Sequence, residues 1–183
     1  YLLERDWLAV QEEEQVKITK SKIGIMVEVP SVLLQIAEFS ELVDFFSVGS
    51  NDLTQYLLAV DRNNPHVANV YSHFHPAVLR ALQRLVQDCI ENQKPVSICG
   101  EMAGDPLTAI LLMAMGFNTL SMSSSNILRV RKAICHVPMA DAKKLLNEVL
   151  QMNNPLLIKS WLERYFRTHG LGDMVKSNRL VNA

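Results

Sequence analysis

The chain has 183 residues, 49% of them apolar and 20% charged, which is enough for one ordinary domain with a real core and excludes general disorder. Eighteen Lys and Arg against nineteen Asp and Glu leave a net charge of -1, so the basic excess of a nucleic-acid binder is absent. The longest apolar run, Ala109 to Met115, is far short of the roughly 20 residues that cross a bilayer, and no membrane partner is expected. Three widely spaced cysteines (Cys89, Cys99, Cys135) with no secretory signal favour a reduced, cytoplasmic setting over a disulfide framework. The chain opens Tyr-Leu-Leu-Glu-Arg, without initiator Met or targeting segment, and reads as excised from something longer.

Residues 1–22 read as a helix and connector, followed by a first strand, Gly24 to Val29, closed by Pro30. Ser31 is the expected N-cap of a helix running to about Leu42. A second strand, Asp44 to Val48, ends at Gly49, and a helix follows from about Asp52 to Val60. After an irregular stretch, Asp61 to His75, Pro76 opens a helix whose Val78, Leu79, Leu82, Leu85, Val86, Cys89 and Ile90 repeat at helical spacing. A third strand, Pro95 to Cys99, leads through a Gly-Glu-Met-Ala-Gly turn into a helix with Asp105 as cap and Gly116 as stop. The fourth strand, Asn118 to Met122, precedes a helix after Ser125. Two closing helices, about Ala140–Gln151 and Pro155–His169, lead to a tail, 176–183, expected to fray.

Strand and helix alternating four times reads as parallel α/β, with strand runs expected to be apolar on both faces. Four βα units are half of a (βα)8 barrel, which typically takes about 250 residues. A small doubly wound sheet is the rival, since both architectures gather ligands at strand C-termini. Each strand end here carries polar chemistry: Glu28; Asn51 and Asp52; Cys99 and Glu101; then Ser121 and Ser123 to Ser125.

Glu28 is a single acid in an apolar strand and needs either an internal cation or a site to serve. Asp52 is either a helix cap or a ligand. Together, two carboxylates at adjacent strand ends suit Mg²⁺, which commonly takes one or two carboxylates and leaves its other positions to water and phosphate oxygens. Asn51 and Arg62 then read as phosphate donors. Cys99 is either a buried small side chain or a strand-end nucleophile or acid. Cys89 and Cys135 read as buried packing residues, and His73 with His75 is too weak a pair for a metal site. Trp7 and Trp161 read as helix-packing residues, the Met-rich Leu111 to Met115 as core, and Arg129, Arg131 and Lys132 as a solvated helix face.

Four ordered motifs now carry a resemblance: Gly24-Ile-Met-Val-Glu-Val-Pro30, Phe46-Ser-Val-Gly-Ser-Asn-Asp-Leu-Thr-Gln-Tyr56, Ala59-Val-Asp-Arg-Asn63 and Cys99-Gly-Glu-Met-Ala-Gly-Asp-Pro106. They resemble the phosphoenolpyruvate-binding C-terminal barrel of enzyme I of the bacterial phosphotransferase system. The likeness continues through His75 to Arg80 and Leu120 to Met122, to about Arg131. The tail, Tyr165 to Gly172, and Ser97-Ile-Cys99 look closer to the nitrogen-related paralogue of enzyme I than to the sugar enzyme.

The resemblance implies that residues 1–183 are one domain, the second half of a phosphoenolpyruvate/pyruvate-type (βα)8 TIM barrel followed by C-terminal helices. It implies Mg²⁺ (or Mn²⁺) on Glu28 and Asp52, substrate contacts from Asn51, Asp52 and Arg62, and Cys99 as the acid that protonates the enolpyruvate carbon. The family reaction moves the phosphoryl group of phosphoenolpyruvate to a histidine on a separate domain, releases pyruvate, and feeds a histidine-bearing (HPr-like) phosphocarrier protein. Pyruvate phosphate dikinase and phosphoenolpyruvate synthase share the barrel and a similar cysteine motif, and a non-catalytic phosphoenolpyruvate-sensing module is a further alternative. Absent from these residues are the first four strands, their arginines and the phospho-accepting histidine. The chain alone is therefore expected to be folded but silent, and its free sheet edges to promote a homodimer.

Overall fold

The computed structural model describes residues 2–17 and 19–175. In chain order the elements are α1 (Leu2–Glu13), β1 (Gly24–Val27), a 3-10 turn (Pro30–Leu34), α2 (Ile36–Ser40), β2 (Phe45–Gly49), α3 (Ser50–Leu58), α4 (Pro76–Glu91) and β3 (Val96–Cys99). Then come α5 (Glu101–Gly104), α6 (Pro106–Met115), β4 (Thr119–Ser121), α7 (Ser124–His136), α8 (Met139–Gln151), α9 (Pro155–Thr168) and a 3-10 turn (Gly172–Met174). The expected frayed segment, 176–183, lies outside the described residues.

All strand pairs are parallel, in the order β1-β2-β3-β4. A doubly wound sheet needs a reversal of strand order, and this sheet has none, so the arrangement is that of consecutive barrel strands. Parallel crossovers have one hand, so strands advancing in one direction place their helices on one face. The side chains agree. Val27, Phe46, Val48, Val96 and Ile98 are buried toward the helices, with Ile25 and Leu120 packed beside them. Their strand neighbours Met26, Ser47, Ser97 and Thr119 are exposed or half-buried on the other face. The expectation of strands apolar on both faces is thus corrected: among the described residues only one face is covered, and the residues alternate accordingly.

Helix chemistry follows local rules where it is strongest. Pro76 begins α4, and His75 Nδ1 accepts from the Ala77 amide at 3.2 Å. One face of α4 then buries Val78, Leu79, Leu82, Leu85, Val86 and Cys89. α6 is buried nearly all round, packs on α7 and α8, and stops at Gly116, whose φ of 110° suits only glycine without strain. Asn154 Oδ1 accepts from the amides of Leu156 and Leu157 at the start of α9. Arg80 ties α4 to the α8–α9 connection, donating to the carbonyls of Leu150 (3.0 Å) and Met152 (3.2 Å) and to Asn153 Oδ1 (2.9 Å).

Other expectations need correction. The helix from Ser31 to Leu42 is a 3-10 turn and a short α2 divided at Gln35 (φ -132°), and the cap position is Val29, not Ser31. Proline at the first position sets that tight turn, after which Gln35 leaves helical geometry. The Gly-Glu-Met-Ala-Gly turn forms the one-turn helix α5. Trp161 packs on the core as expected, with Arg164 over its ring at 4.3 Å, whereas α1, which carries Trp7, buries none of its residues. Arg129 and Lys132 are not merely solvated: Arg129 donates to the Met174 carbonyl (2.9 Å) and Lys132 pairs with Asp173 (2.8 Å). Cys89 is buried and burial pushes its thiol up to about 12, but Cys135 is exposed, contrary to expectation.

Candidate functional site

The register defines one layer across the strand ends. Val27 pairs with Val48, Gly49 with Cys99, and Cys99 with Ser121, so Glu28, Gly49, Cys99 and Ser121 form a row at the C-terminal edge of the uncovered face. A Cβ on Gly49 would lie 3.0 Å from Glu28 Oε2 and 3.1 Å from Glu28 Cβ. Glycine at 49 therefore leaves a cradle in which the Glu28 carboxylate lies over the end of β2, where α3 begins.

Asp52 stands in the first turn of α3, half-buried. The cap position is Gly49, and no side chain caps this helix, so the reading of Asp52 as a simple cap does not hold. The alternative for Glu28, an internal cation partner, also fails: among the described residues neither Glu28 nor Asp52 forms an ion pair. The described residues contain no cluster of three or more His, Cys, Asp or Glu able to hold a metal. Glu28 in its glycine cradle and Asp52 in the first turn of α3, both without an ion pair among the described residues, are chemically suited to a cation that draws its remaining ligands from substrate and water.

Ala59, in left-handed conformation at φ 53°, ends α3 and turns the chain so that Arg62 comes back to it, its amide bonded to Gln55 Oε1 at 3.3 Å. The Arg62 guanidinium sits 3.8 Å from Glu101 Oε1. Glu101 in turn gives its amide hydrogen to Asn51 Oδ1 at 3.3 Å, which leaves the Asn51 amide hydrogens free to serve as donors. Cys99 is half-buried, its thiol donating to the Val48 carbonyl at 3.4 Å. A cleft of about 360 Å³ opens here, lined in part by Asn51, Cys99, Glu101 and Ser121. The expected donors Asn51 and Arg62 and the expected acid Cys99 are thus linked through Glu101 and this cleft, with Asp52 on the same helical turn as Asn51.

Three further neighbours adjoin these residues: Tyr71 and Ser50, which the sequence did not single out, and His73, which it weighed only in a metal pair with His75. Tyr71 donates its hydroxyl to the Asn51 carbonyl at 3.2 Å, and burial raises its phenol against the pull of Arg62. His73 meets the Tyr71 ring edge-on, with centroids 5.2 Å apart, and both its ring nitrogens are buried with no hydrogen-bond partner among the described residues. Burial lowers its imidazole below the ordinary histidine value, partly offset by Glu101. His75 is occupied as a helix cap, which disposes of a His73–His75 metal pair. Ser50 donates its hydroxyl to the Cys99 carbonyl at 2.6 Å. These partners come from 20 to 49 positions away in the chain, beyond the reach of local pattern.

Residues 2–139 match the family described as PEP-utilising enzyme, PEP-binding domain. The chain is 38% identical over 175 residues to the "Phosphoenolpyruvate-dependent phosphotransferase system" protein of Salmonella typhimurium, covering 96% of this chain and 23% of that one. It is 36% identical over 162 residues to the phosphoenolpyruvate-protein phosphotransferase of Haemophilus influenzae, covering 88% of this chain and 28% of the relative. The protein of the same description from Cupriavidus necator is 40% identical over 134 residues, covering 73% and 23%. The chain spans about a quarter of the length of the curated relatives it matches.

Proposed function

The chain belongs to the family of phosphoenolpyruvate-binding domains of PEP-utilising enzymes, and we propose on that premise that it works as part of a phosphoenolpyruvate–protein phosphotransferase. The observation that supports this reading is the row Glu28, Gly49, Cys99, Ser121, which sets a carboxylate and a thiol along one sheet edge, with Asn51 and Asp52 in the first turn of α3 that follows β2 and Arg62 reaching back through Glu101. In this reading the uncovered sheet face is closed by a preceding half-barrel that brings further arginines. A histidine on another domain accepts the phosphoryl group and passes it to a histidine-bearing phosphocarrier. Isolated, these residues would bind and position but not transfer.

Glu28 and Asp52 would hold Mg²⁺ or Mn²⁺, which when bound neutralises the charge of phosphate and developing enolate. Arg62 and Asn51 grip phosphate oxygens, Arg62 exchanging its contact with Glu101 for the stronger charge-assisted one. As the P–O bond to the enol oxygen breaks and the P–N bond to histidine forms, the enolate is left one proton short at its methylene carbon. The Cys99 thiol supplies that proton; its S–H bond breaks as the C–H bond forms, and the thiolate recovers a proton from solvent. The assignment to the nitrogen-related branch rests on the tail, Tyr165 to Gly172, and on Ser97-Ile-Cys99. A cytoplasmic setting and a homodimer belong to the same reading; among the described residues no helix is long and apolar enough to cross a membrane.

In the full-length phosphotransferase, Glu28→Ala and Asp52→Ala are each expected to abolish phosphoenolpyruvate-dependent histidine phosphorylation. Near-normal phosphorylation in either variant at limiting metal would overturn the assignment.

A further inference from the structure

We propose that Ser50 is a positioning residue that aims the Cys99 thiol, acting through the Cys99 carbonyl and the turn at Gly100; this rests on the reading of Cys99 as the acid. Ser50 is the first residue of α3 and is 1% exposed. Its hydroxyl reaches across to the end of β3 and donates to the Cys99 carbonyl at 2.6 Å. The next residue, Asn51, accepts the Glu101 amide hydrogen at 3.3 Å. Two consecutive side chains of one helical turn therefore hold the β3–α5 turn on either side of Gly100.

Gly100 shows how close that hold is. Its φ is +102°, in the region that favours glycine, and a Cβ built there would collide with Ser50 Oγ and lie 3.1 Å from Asn51 Oδ1. Backbone conformation and side-chain contact exclude every other residue at this position independently. The thiol is tethered by the same segment, since its acceptor is the carbonyl of Val48, two residues before Ser50. Cys99 is thus fixed at both ends by β2 and the start of α3: the sulfur by Val48, the carbonyl by Ser50.

Proton delivery to carbon demands such aim. The methylene carbon of an enolate is planar and has two faces, and a thiol displaced by an ångström loses about 100-fold in rate. An enolate that misses its proton from Cys99 takes one from water on either face. The chirality of the product methyl group therefore reports the aim of the thiol directly.

The experiment uses the full-length enzyme and phosphoenolpyruvate stereospecifically tritiated at C3, turned over in deuterated water, with the chirality of the pyruvate methyl group measured. Ser50→Ala is expected to lower kcat 10- to 100-fold with KM for phosphoenolpyruvate within 2-fold, and to release largely racemic methyl groups. Ser50→Thr, which keeps the hydroxyl, should restore both. Should Ser50→Ala fail to fold, Ser50→Cys, with a weak donor of similar size, takes its place with the same readout. Full chirality in a folded variant lacking the hydroxyl would overturn the role of Ser50, as would a loss expressed in KM alone. If the wild-type enzyme itself gives racemic methyl groups, the acid role of Cys99 falls and this proposal with it; if it forms no pyruvate at all, the proposed function falls.

Discussion

The two faces of the four-stranded sheet use the same backbone for opposite ends. On the helix side, Val27, Phe46, Val48, Val96 and Ile98 are all at most 3% exposed, and their side chains serve burial. On the other side the alternate positions are Met26, Ser47, Ser97 and Thr119, with the row Glu28, Gly49, Cys99, Ser121 at the rim. The first face is complete within the described residues. The second is a row of small, polar and reactive groups flanked by hydrogen bonds between segments distant in the chain: Ser50 to Cys99, Glu101 to Asn51, Tyr71 to Asn51. Stability and chemistry are thus separable residue by residue along a single strand, because successive side chains point to opposite faces.

That separation can be broken, or sharpened, by substitution. The largest effect is expected at the rim: Cys99→Ala in the full-length enzyme should slow pyruvate formation about 10²- to 10⁴-fold, as for loss of a general acid, while the melting temperature stays within 2 °C or so. Equal losses of stability and rate would show that the rim also holds the fold. One position along the helix face, Phe46→Ala should do the reverse, costing about 3–5 kcal/mol in denaturant unfolding while the remaining folded enzyme keeps its KM for phosphoenolpyruvate. A smaller effect concerns pH. The folded-state value of His73 lies below its unfolded value of about 6.5, so the unfolded chain binds more protons as pH falls through that range. Stability is therefore present above about pH 6.5 and declines toward pH 5, by at most about 1.4 kcal/mol per pH unit for one proton. His73→Phe should flatten the decline in melting temperature between pH 7.5 and 5.5; an unchanged slope would assign it to other groups.

What could be read from the sequence divides along similar lines. The amphipathic repeat from Val78, the cap at Asn154 and the stop at Gly116 are encoded within a few residues, and each stands where expected save that the buried face ends at Cys89 and Ile90 is exposed. The division of the Pro30–Leu42 segment at Gln35 is not, because the apolar spacing of Val32, Leu33, Ile36 and Phe39 is compatible with one helix or two turns. Of the site, Glu28, Asn51, Asp52, Arg62 and Cys99 were legible as reactive groups at strand ends and through the family motifs. Ser50 and Tyr71 were not, since a serine before an asparagine or a tyrosine in an irregular stretch carries no local signal, and His73 drew notice only as half of a weak metal pair, not for its buried place beside Tyr71. Their roles appear only when register brings Ser50 to Cys99 and the 61–75 segment folds back over α3.

The most direct test of the division between the two faces is Mn²⁺ binding to the full-length enzyme in the presence of phosphoenolpyruvate, followed by electron paramagnetic resonance alongside thermal melting. Glu28→Gln and Asp52→Asn should each weaken Mn²⁺ binding at least about 10-fold with melting unchanged, since each removes one of two carboxylates the cation would take, whereas Phe46→Ala should lower the melting temperature and leave Mn²⁺ affinity intact. Wild-type Mn²⁺ affinity in either carboxylate variant would contradict the account.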